Sequence, residues 1–277
     1  MKRPGDRVRT LALGTLGGTL LAFFALTVGA LLFTVPLGAV PRLVRDPLVA
    51  EALLVSLATS TLSMFLVVTL GTPLAWLLAR GRGRFASGLE LALQLPEAIP
   101  PAVAGLALLL AFGRQGLLGA PLAALGIGVA FTPTAVVFAQ VFVGGPFFVQ
   151  AAIAAFRRVD EELLGVSRSL GAGPFATFLR VTLPMSAPAL CGGLGLAWAR
   201  ALGEFGATLM FAGNLSGRTQ TLPLAVYAAL ESDLATAQIT AVVLLVIAVT
   251  LLVVVRVLGG RDRSSARALP LHNEAAT

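Results

Sequence analysis

The chain is expected to fold as an all-α membrane protein with six transmembrane helices and both ends in the cytoplasm. Three observations predict this. Hydrophobic residues fill 57% of 277 positions and charged residues only 12%, for a mean hydropathy of +0.92; that balance belongs to polytopic membrane proteins. Six apolar runs reach the length of about 20 residues that a spanning helix needs, at 11–35, 52–79, 91–112, 127–152, 186–212 and 236–257. The basic residues sort to one side of these runs, as the positive-inside rule requires.

The first run follows Lys2, Arg3, Arg7 and Arg9 and exceeds a signal-peptide core of about 7–15 residues, so it reads as an uncleaved anchor. With the loop after it, it makes an N-terminal unit, 1–50, ahead of a core at 51–260. The second run carries Trp76 at its inner end as an interface anchor and stops at Arg80, Arg82 and Arg84. Leu95-Pro96-Glu97-Ala98-Ile99-Pro100-Pro101 lies in the third. Three prolines there break the backbone ladder, which suits either a re-entrant or interfacial cap on an ordinary helix or a helix broken beside a translocation path. The fourth run leads to Arg157 and Arg158. Glycines in the first (Gly14, Gly17, Gly18) and fifth (Gly192, Gly193, Gly195) read as close packing. After the sixth come Arg256 and a polar tail, 261–277, with Arg261, Arg263 and Arg267. With the N-terminus inside, fifteen of the twenty basic residues are cytoplasmic. Outside lie Arg42, Arg45, Arg114 and Arg218, and Arg200 falls within a span. No internal repeat is visible, which argues against the common repeat-built secondary transporters.

Between the fourth and fifth runs lies a polar insert, Arg157 to Pro184, that this topology places in the cytoplasm. Asp160 is suited to cap a helix, with Glu161 and Glu162 in the first turn where the dipole favours anions. Val159, Leu163, Leu164, Val166 and Leu170 make an apolar stripe at helical spacing. Gly171 is the natural stop, Gly173-Pro174 restarts a second helix, and Leu183-Pro184 is expected to end it. Two short helices with an apolar stripe suit a partner's groove.

The missing motifs matter as much. Cys191 is the one cysteine and His272 the one histidine, so disulfides, zinc, haem and histidine catalysis have almost no material. No G-x-x-x-x-G-K-[ST] is present to hold nucleotide phosphates, and no catalytic triad or H-E-x-x-H. No cofactor, metal or nucleic-acid partner is expected; the net charge of +7 reflects arginines that orient spans in the bilayer. Energy for active transport must then come from a partner or an ion gradient, and the structured insert favours a partner. Arg200 and Glu204 lie four residues apart in the fifth span, each costing roughly 2.5–3.5 kcal/mol if turned to lipid. They read either as a mutual ion pair fixing helix packing or as part of a pathway or gate, with Thr208 one turn further on. Ser56, Thr59 and Ser60 are candidates for the same pathway, although such hydroxyls often bond back to their own helix.

These residues resemble the membrane permease subunits of bacterial binding-protein-dependent ABC importers. Their cytoplasmic hallmark is the pattern E-A-A-x-x-x-G-x9-I-x-L-P. Gly171, nine residues, then Val181-Thr182-Leu183-Pro184 match its second half, while Gly165, Val166 and Ser167 fill the E-A-A places. Arg200-Ala-Leu-Gly-Glu204-Phe-Gly-Ala-Thr208, Phe211-Ala-Gly-Asn-Leu and Gly217-Arg-Thr-Gln-Thr-Leu-Pro-Leu-Ala-Val-Tyr227 look like the molybdate permease subgroup, as do Pro100-Pro101-Ala-Val-Ala-Gly105 and Pro146-Phe-Phe-Val. The likeness spans roughly 50–260. The G-E-F-G-A string is shared with sulfate permeases, so a sulfate or thiosulfate permease is the neighbouring alternative, and an ion-coupled secondary transporter is the alternative from another class. The resemblance implies an ABC importer permease fold and a non-catalytic subunit of the bacterial inner membrane. It also implies a homodimer, cytoplasmic ABC ATPase subunits that hydrolyse the ATP, and an extracytoplasmic binding protein that captures a tetrahedral oxyanion, molybdate or tungstate. The insert 157–184 would be the coupling element, with Asp160, Glu161, Ser167, Arg168, Ser169, Leu170, Gly171, Ala172 and Pro184 its candidate ATPase-coupling residues.

Overall fold

The computed structural model describes residues 4–36, 38, 41, 46–81 and 83–260. Lys2, Arg3, Arg42, Arg45, Arg82 and the tail 261–277, on which part of the charge sorting rests, lie outside them. Every regular element among the described residues is helical. The order is α1 (Pro4–Phe33), α2 (Pro47–Arg80), α3 (Arg84–Ala98), α4 (Pro101–Phe112), α5 (Gly119–Ala124), α6 (Pro133–Arg157), α7 (Glu161–Ser169) and α8 (Pro174–Thr177). A π-turn (Phe178–Thr182), α9 (Leu183–Leu202), α10 (Gly206–Ala212), α11 (Leu222–Leu230) and α12 (Leu234–Gly260) complete it.

Five helical stretches are long and apolar enough to cross a membrane: α1, α2, α6, the continuous run 174–202 and α12. The expected third span departs from a straight helix. Its two halves, α3 and α4, meet at Ile99-Pro100 with a bend of 114°. Pro100 and Pro101 supply no N–H there, and Pro101 is preorganised as the first residue of a new helix. The bend excludes one straight helix here and leaves two forms, a broken span or a re-entrant loop. The expected span 186–212 is corrected too: α9 ends at Leu202, and α10 restarts at Gly206. The fourth span begins later than expected, at Pro133, and runs on to Arg157.

Pro184 does not end a helix. The π-turn shifts the ladder so that the Leu183 N–H donates to the Phe178 carbonyl five residues back. The next residue, Pro184, has no N–H and needs no acceptor, and the helix continues through it to Leu202.

The bundle centres on α6, buried along most of its length between α2 and α9. One apolar core joins Met64, Val67 and Leu78 of α2 to Phe148, Ile153 and Phe156 of α6 and Leu190 and Ala197 of α9. A second, nearer the other end of α6, joins Ala104 and Leu108 of α4 to Val136 and Val143 of α6 and Ala207 and Phe211 of α10. Lipid is as apolar as leucine, so close van der Waals contact must hold such helices together. A Cβ on Gly193 would lie 2.5 Å from the Ala151 Cβ, and one on Gly144 2.8 Å from the Ala197 carbonyl oxygen, so α9 presses directly on α6. The glycines of α1 behave otherwise: Gly14, Gly17 and Gly18 have nothing within 4 Å of a Cβ, and neither has Gly192. The expectation of close packing therefore fails for them within this chain, and from Leu13 on α1 turns its apolar side chains outward.

Asp46 caps α2, its Oδ1 accepting the Leu48 N–H at 2.9 Å. Asp233 caps α12, where the Thr236 hydroxyl, then the amides of Ala235 and Thr236, hold its carboxyl below the usual carboxylate value.

Candidate functional site: an apolar docking surface and a charged helix break

The insert after Arg157 is built from local chemistry. Asp160 Oδ1 accepts the Glu162 N–H at 2.9 Å, and Glu161 and Glu162 occupy the first turn of α7. At the other end the Ala172 N–H reaches the Ser167 carbonyl (3.1 Å) and the Gly171 N–H the Arg168 carbonyl (2.9 Å). This Schellman closure puts Gly171 at φ +83°, a conformation that costs an L-residue roughly 1–2 kcal/mol. Pro174 opens α8 behind a Gly173 cap. The Ser167 and Thr177 hydroxyls meet at 3.1 Å and tie the two helices together, while Ser169 bonds back to the Gly165 carbonyl.

The apolar stripe divides. Val159 and Leu164 are buried against the bundle, with Phe178 of the π-turn. Leu163 (44%), Val166 (58%) and Leu170 (83%) stay exposed, joined by Phe175 (68%) at the start of α8. Sequence reasoning missed Phe175, although an aromatic side chain just after the Gly173-Pro174 helix start was a signal for it. Gly165, in the place of the family glutamate, has open space where a side chain would go, so crowding does not explain the replacement.

The second feature lies at the far end of the helical run 174–202. Arg200 Nη1 and Glu204 Oε2 are 3.0 Å apart. Glu204 is buried, Arg200 about one-third exposed at 35%. Glu204 sits in the break rather than in the helix, and its Oε1 accepts the Ala207 N–H at 2.8 Å, capping α10. Here the two broken spans touch. A Cβ on Gly206 would lie 2.8 Å from the Pro101 Cβ, and one on Gly105 2.7 Å from the Ala207 carbonyl oxygen. Thr208, fully buried, has a hydroxyl with no hydrogen-bond partner.

Ser56, Thr59 and Ser60 are also buried, with their hydroxyls already engaged. Ser56 Oγ accepts the Leu222 N–H at 2.8 Å, capping α11; Thr59 donates to the Val55 carbonyl; Ser60 accepts the Trp198 indole N–H at 3.1 Å. Ser56 and Ser60 join α2 to α11 and α9, while Thr59 bonds back to its own helix. Two further polar pairs escaped the sequence reading. Glu97, beside the α3–α4 bend, accepts from Gln150 Nε2 at 2.8 Å, and Glu90 pairs with Arg157. At the end of the bundle opposite α7, Arg114 and Arg218 line a cavity with Thr132 and Phe131, the latter held at φ +60°.

Residues 71–261 match the model of the binding-protein-dependent transport system inner membrane component family. The molybdenum transport system permease protein ModB of Mycobacterium tuberculosis is 42% identical over 90% of this chain and 93% of its own length. The probable sulfate transport system permease protein cysT of Nephroselmis olivacea is 35% identical over 78% of this chain and 77% of its own. Among solved structures, the bacterial alginate ABC transporter in complex with alginate pentasaccharide-bound periplasmic protein contains a chain that superposes with a TM-score of 0.71. At 15% identity, over 94% of this chain and 98% of that one, the likeness is one of fold.

Proposed function

The chain belongs to the family of inner membrane components of binding-protein-dependent transport systems, and from that premise we propose that it is the membrane-spanning subunit of an ATP-driven molybdate importer. The observation that carries this reading is the 42% identity over nine-tenths of the chain to a molybdenum permease. Tungstate, with the same shape and charge, is accepted as well. The subunit works as a homodimer with two cytoplasmic ATPases, and an extracytoplasmic binding protein delivers the oxyanion. The end of the bundle that carries α7 faces the cytoplasm.

The geometry supports a division of labour. Leu163, Val166, Leu170 and Phe175 present the apolar surface that each ATPase grips. From that surface one helical run, Pro174 to Leu202, crosses the bundle; at 1.5 Å per residue it is a lever of about 43 Å. It ends at the Arg200–Glu204 break, beside the second broken helix. A pull on α7 is thereby delivered to the place where two spans can move against each other. Arg114 and Arg218, at the opposite end, offer the arriving dianion its first cationic groups. Arg200, with its charge neutralised by Glu204, gives the anion only weak purchase and so does not trap it. ATP and oxyanion must favour different states of this one assembly.

The reading is tested by uptake of labelled molybdate into cells lacking their own molybdate importers and supplied with this permease, its neighbouring ATPase and its binding protein. Uptake should require ATP hydrolysis, compete with tungstate, and resist a hundredfold excess of sulfate. Uptake that sulfate abolishes would transfer the chain to the sulfate permeases. Uptake driven by an ion gradient without ATP would overturn the reading altogether.

A further inference from the structure

Behind the docking surface, where α7 leans on the bundle, lies a cavity of about 370 Å³. Its walls include Trp76 and Arg80 from the end of α2, Arg157 from the end of α6, Glu161 and Arg168 from α7, and Thr182 from the π-turn. Three arginines and one glutamate thus line it, with Arg168 Nε donating to the Leu164 carbonyl at 3.1 Å. Arg157 is held by Glu90 and by the Leu78 carbonyl. Arg80 lies over the Trp76 ring, 4.9 Å from its centre; neither it nor Arg168 has a carboxylate partner among the described residues. Helix dipoles account for cations at these helix ends. They do not account for two other groups in the same walls. The Trp76 indole nitrogen and the Thr182 hydroxyl are both buried without a hydrogen-bond partner, Thr182 being 2% exposed. Native folds rarely leave such groups unsatisfied.

The donor set defines the chemistry of what fits. An indole N–H can only donate, guanidinium groups have no acceptor, and a hydroxyl can do either. The complementary ligand carries negative charge and several acceptor oxygens at once. We propose that this cavity binds the phosphate-type group of a tetrahedral oxyanion, supplied either by an anionic lipid headgroup or by a free anion. Both sources can reach it, since Trp76 and Arg80 end a spanning helix. The bound group bridges α2 to α7 and so holds α7 against the bundle. Because α7 is the docking helix in the reading above, on which this consequence rests, occupancy biases coupling between ATPase and permease.

The test uses the full-length permease alone in nanodiscs, so its outcome is independent of transport. The chain has two tryptophans, and Trp198→Phe leaves Trp76 as the reporter. In phosphatidylcholine nanodiscs, inorganic phosphate titrated at constant ionic strength should shift Trp76 emission along a saturating curve, with a midpoint raised at least fivefold by Arg80→Gln. In phosphatidylglycerol nanodiscs, loss of the phosphate response identifies a lipid headgroup as the occupant, and its persistence identifies a free anion. Either outcome supports the site. A non-saturating response, or a midpoint that Arg80→Gln leaves within twofold, overturns it. A second measurement avoids Trp198→Phe: phosphate should raise the unfolding temperature of the unsubstituted protein in phosphatidylcholine and not that of Arg80→Gln.

Discussion

The two ends of the helical run 174–202 violate the usual placement of residues in opposite ways. At one end, in the polar insert 157–184, four large apolar side chains, Leu163, Val166, Leu170 and Phe175, lie open. At the other, within the apolar bundle, a carboxylate is buried at 1% exposure. The buried charge is satisfied by the chain itself: Arg200 neutralises it and the Ala207 amide completes its hydrogen bonding. The exposed apolar face has no such internal answer among the described residues. The difference teaches where each feature must be tested, the break in the permease alone and the surface only with a partner present.

Glu204→Ala should have the largest effect. It removes the ion pair and the cap of α10 together and leaves Arg200 unpaired in the bundle. Breaking a buried pair costs about 3–5 kcal/mol, and Arg200's partial exposure favours the low end, about 3 kcal/mol. The purified permease should lose several degrees of unfolding temperature with no ATPase present. Adding Arg200→Met to form the double variant should return most of that loss. If Glu204→Ala melts with the wild type, the break is not held by its charges.

Leu170→Asp should leave the unfolding temperature alone, since a side chain 83% exposed supports no core and such changes stay within about 0.5 kcal/mol. Its effect should surface in association with the ATPase. Loss of a central apolar anchor is worth about 2 kcal/mol, or roughly thirtyfold in Kd. Unchanged association measured by light scattering or surface plasmon resonance would remove Leu170 from the interface.

This contrast also explains what could be read from the residues in advance. The Asp160 cap and the Gly171 stop are local chemistry, decided within four residues, and both are found as expected. The break at Gly203–Phe205 was hidden, because apolar length alone runs on through it. What ends α9 there is a long-range contact, Gly206 against Pro101, together with an acid better placed as a cap than in a helix. Pro184 was misread for the converse reason: a proline is a reliable stop only in a regular ladder, and the π-turn before it had already shifted the ladder by one residue. The cavity behind α7 draws on four elements, α2, α6, α7 and the π-turn, so no spacing in the chain announces it.

Gly165→Ala should have the smallest effect and the sharpest meaning for the docking surface. Gly165 lies within α7, and glycine inside a helix costs about 1 kcal/mol relative to alanine. A Cβ there meets nothing in this chain within 4 Å. The permease alone should therefore be unharmed or slightly stabilised, and nothing among the described residues crowds the place where the family pattern has a glutamate. A partner backbone that comes close to α7 at this point would supply a reason. If that is so, Gly165→Ala weakens ATPase association at least tenfold while the permease's own stability is maintained or improved. If association is unaffected, the partner contacts only the face formed by Leu163, Val166, Leu170 and Phe175, and the docking surface ends there.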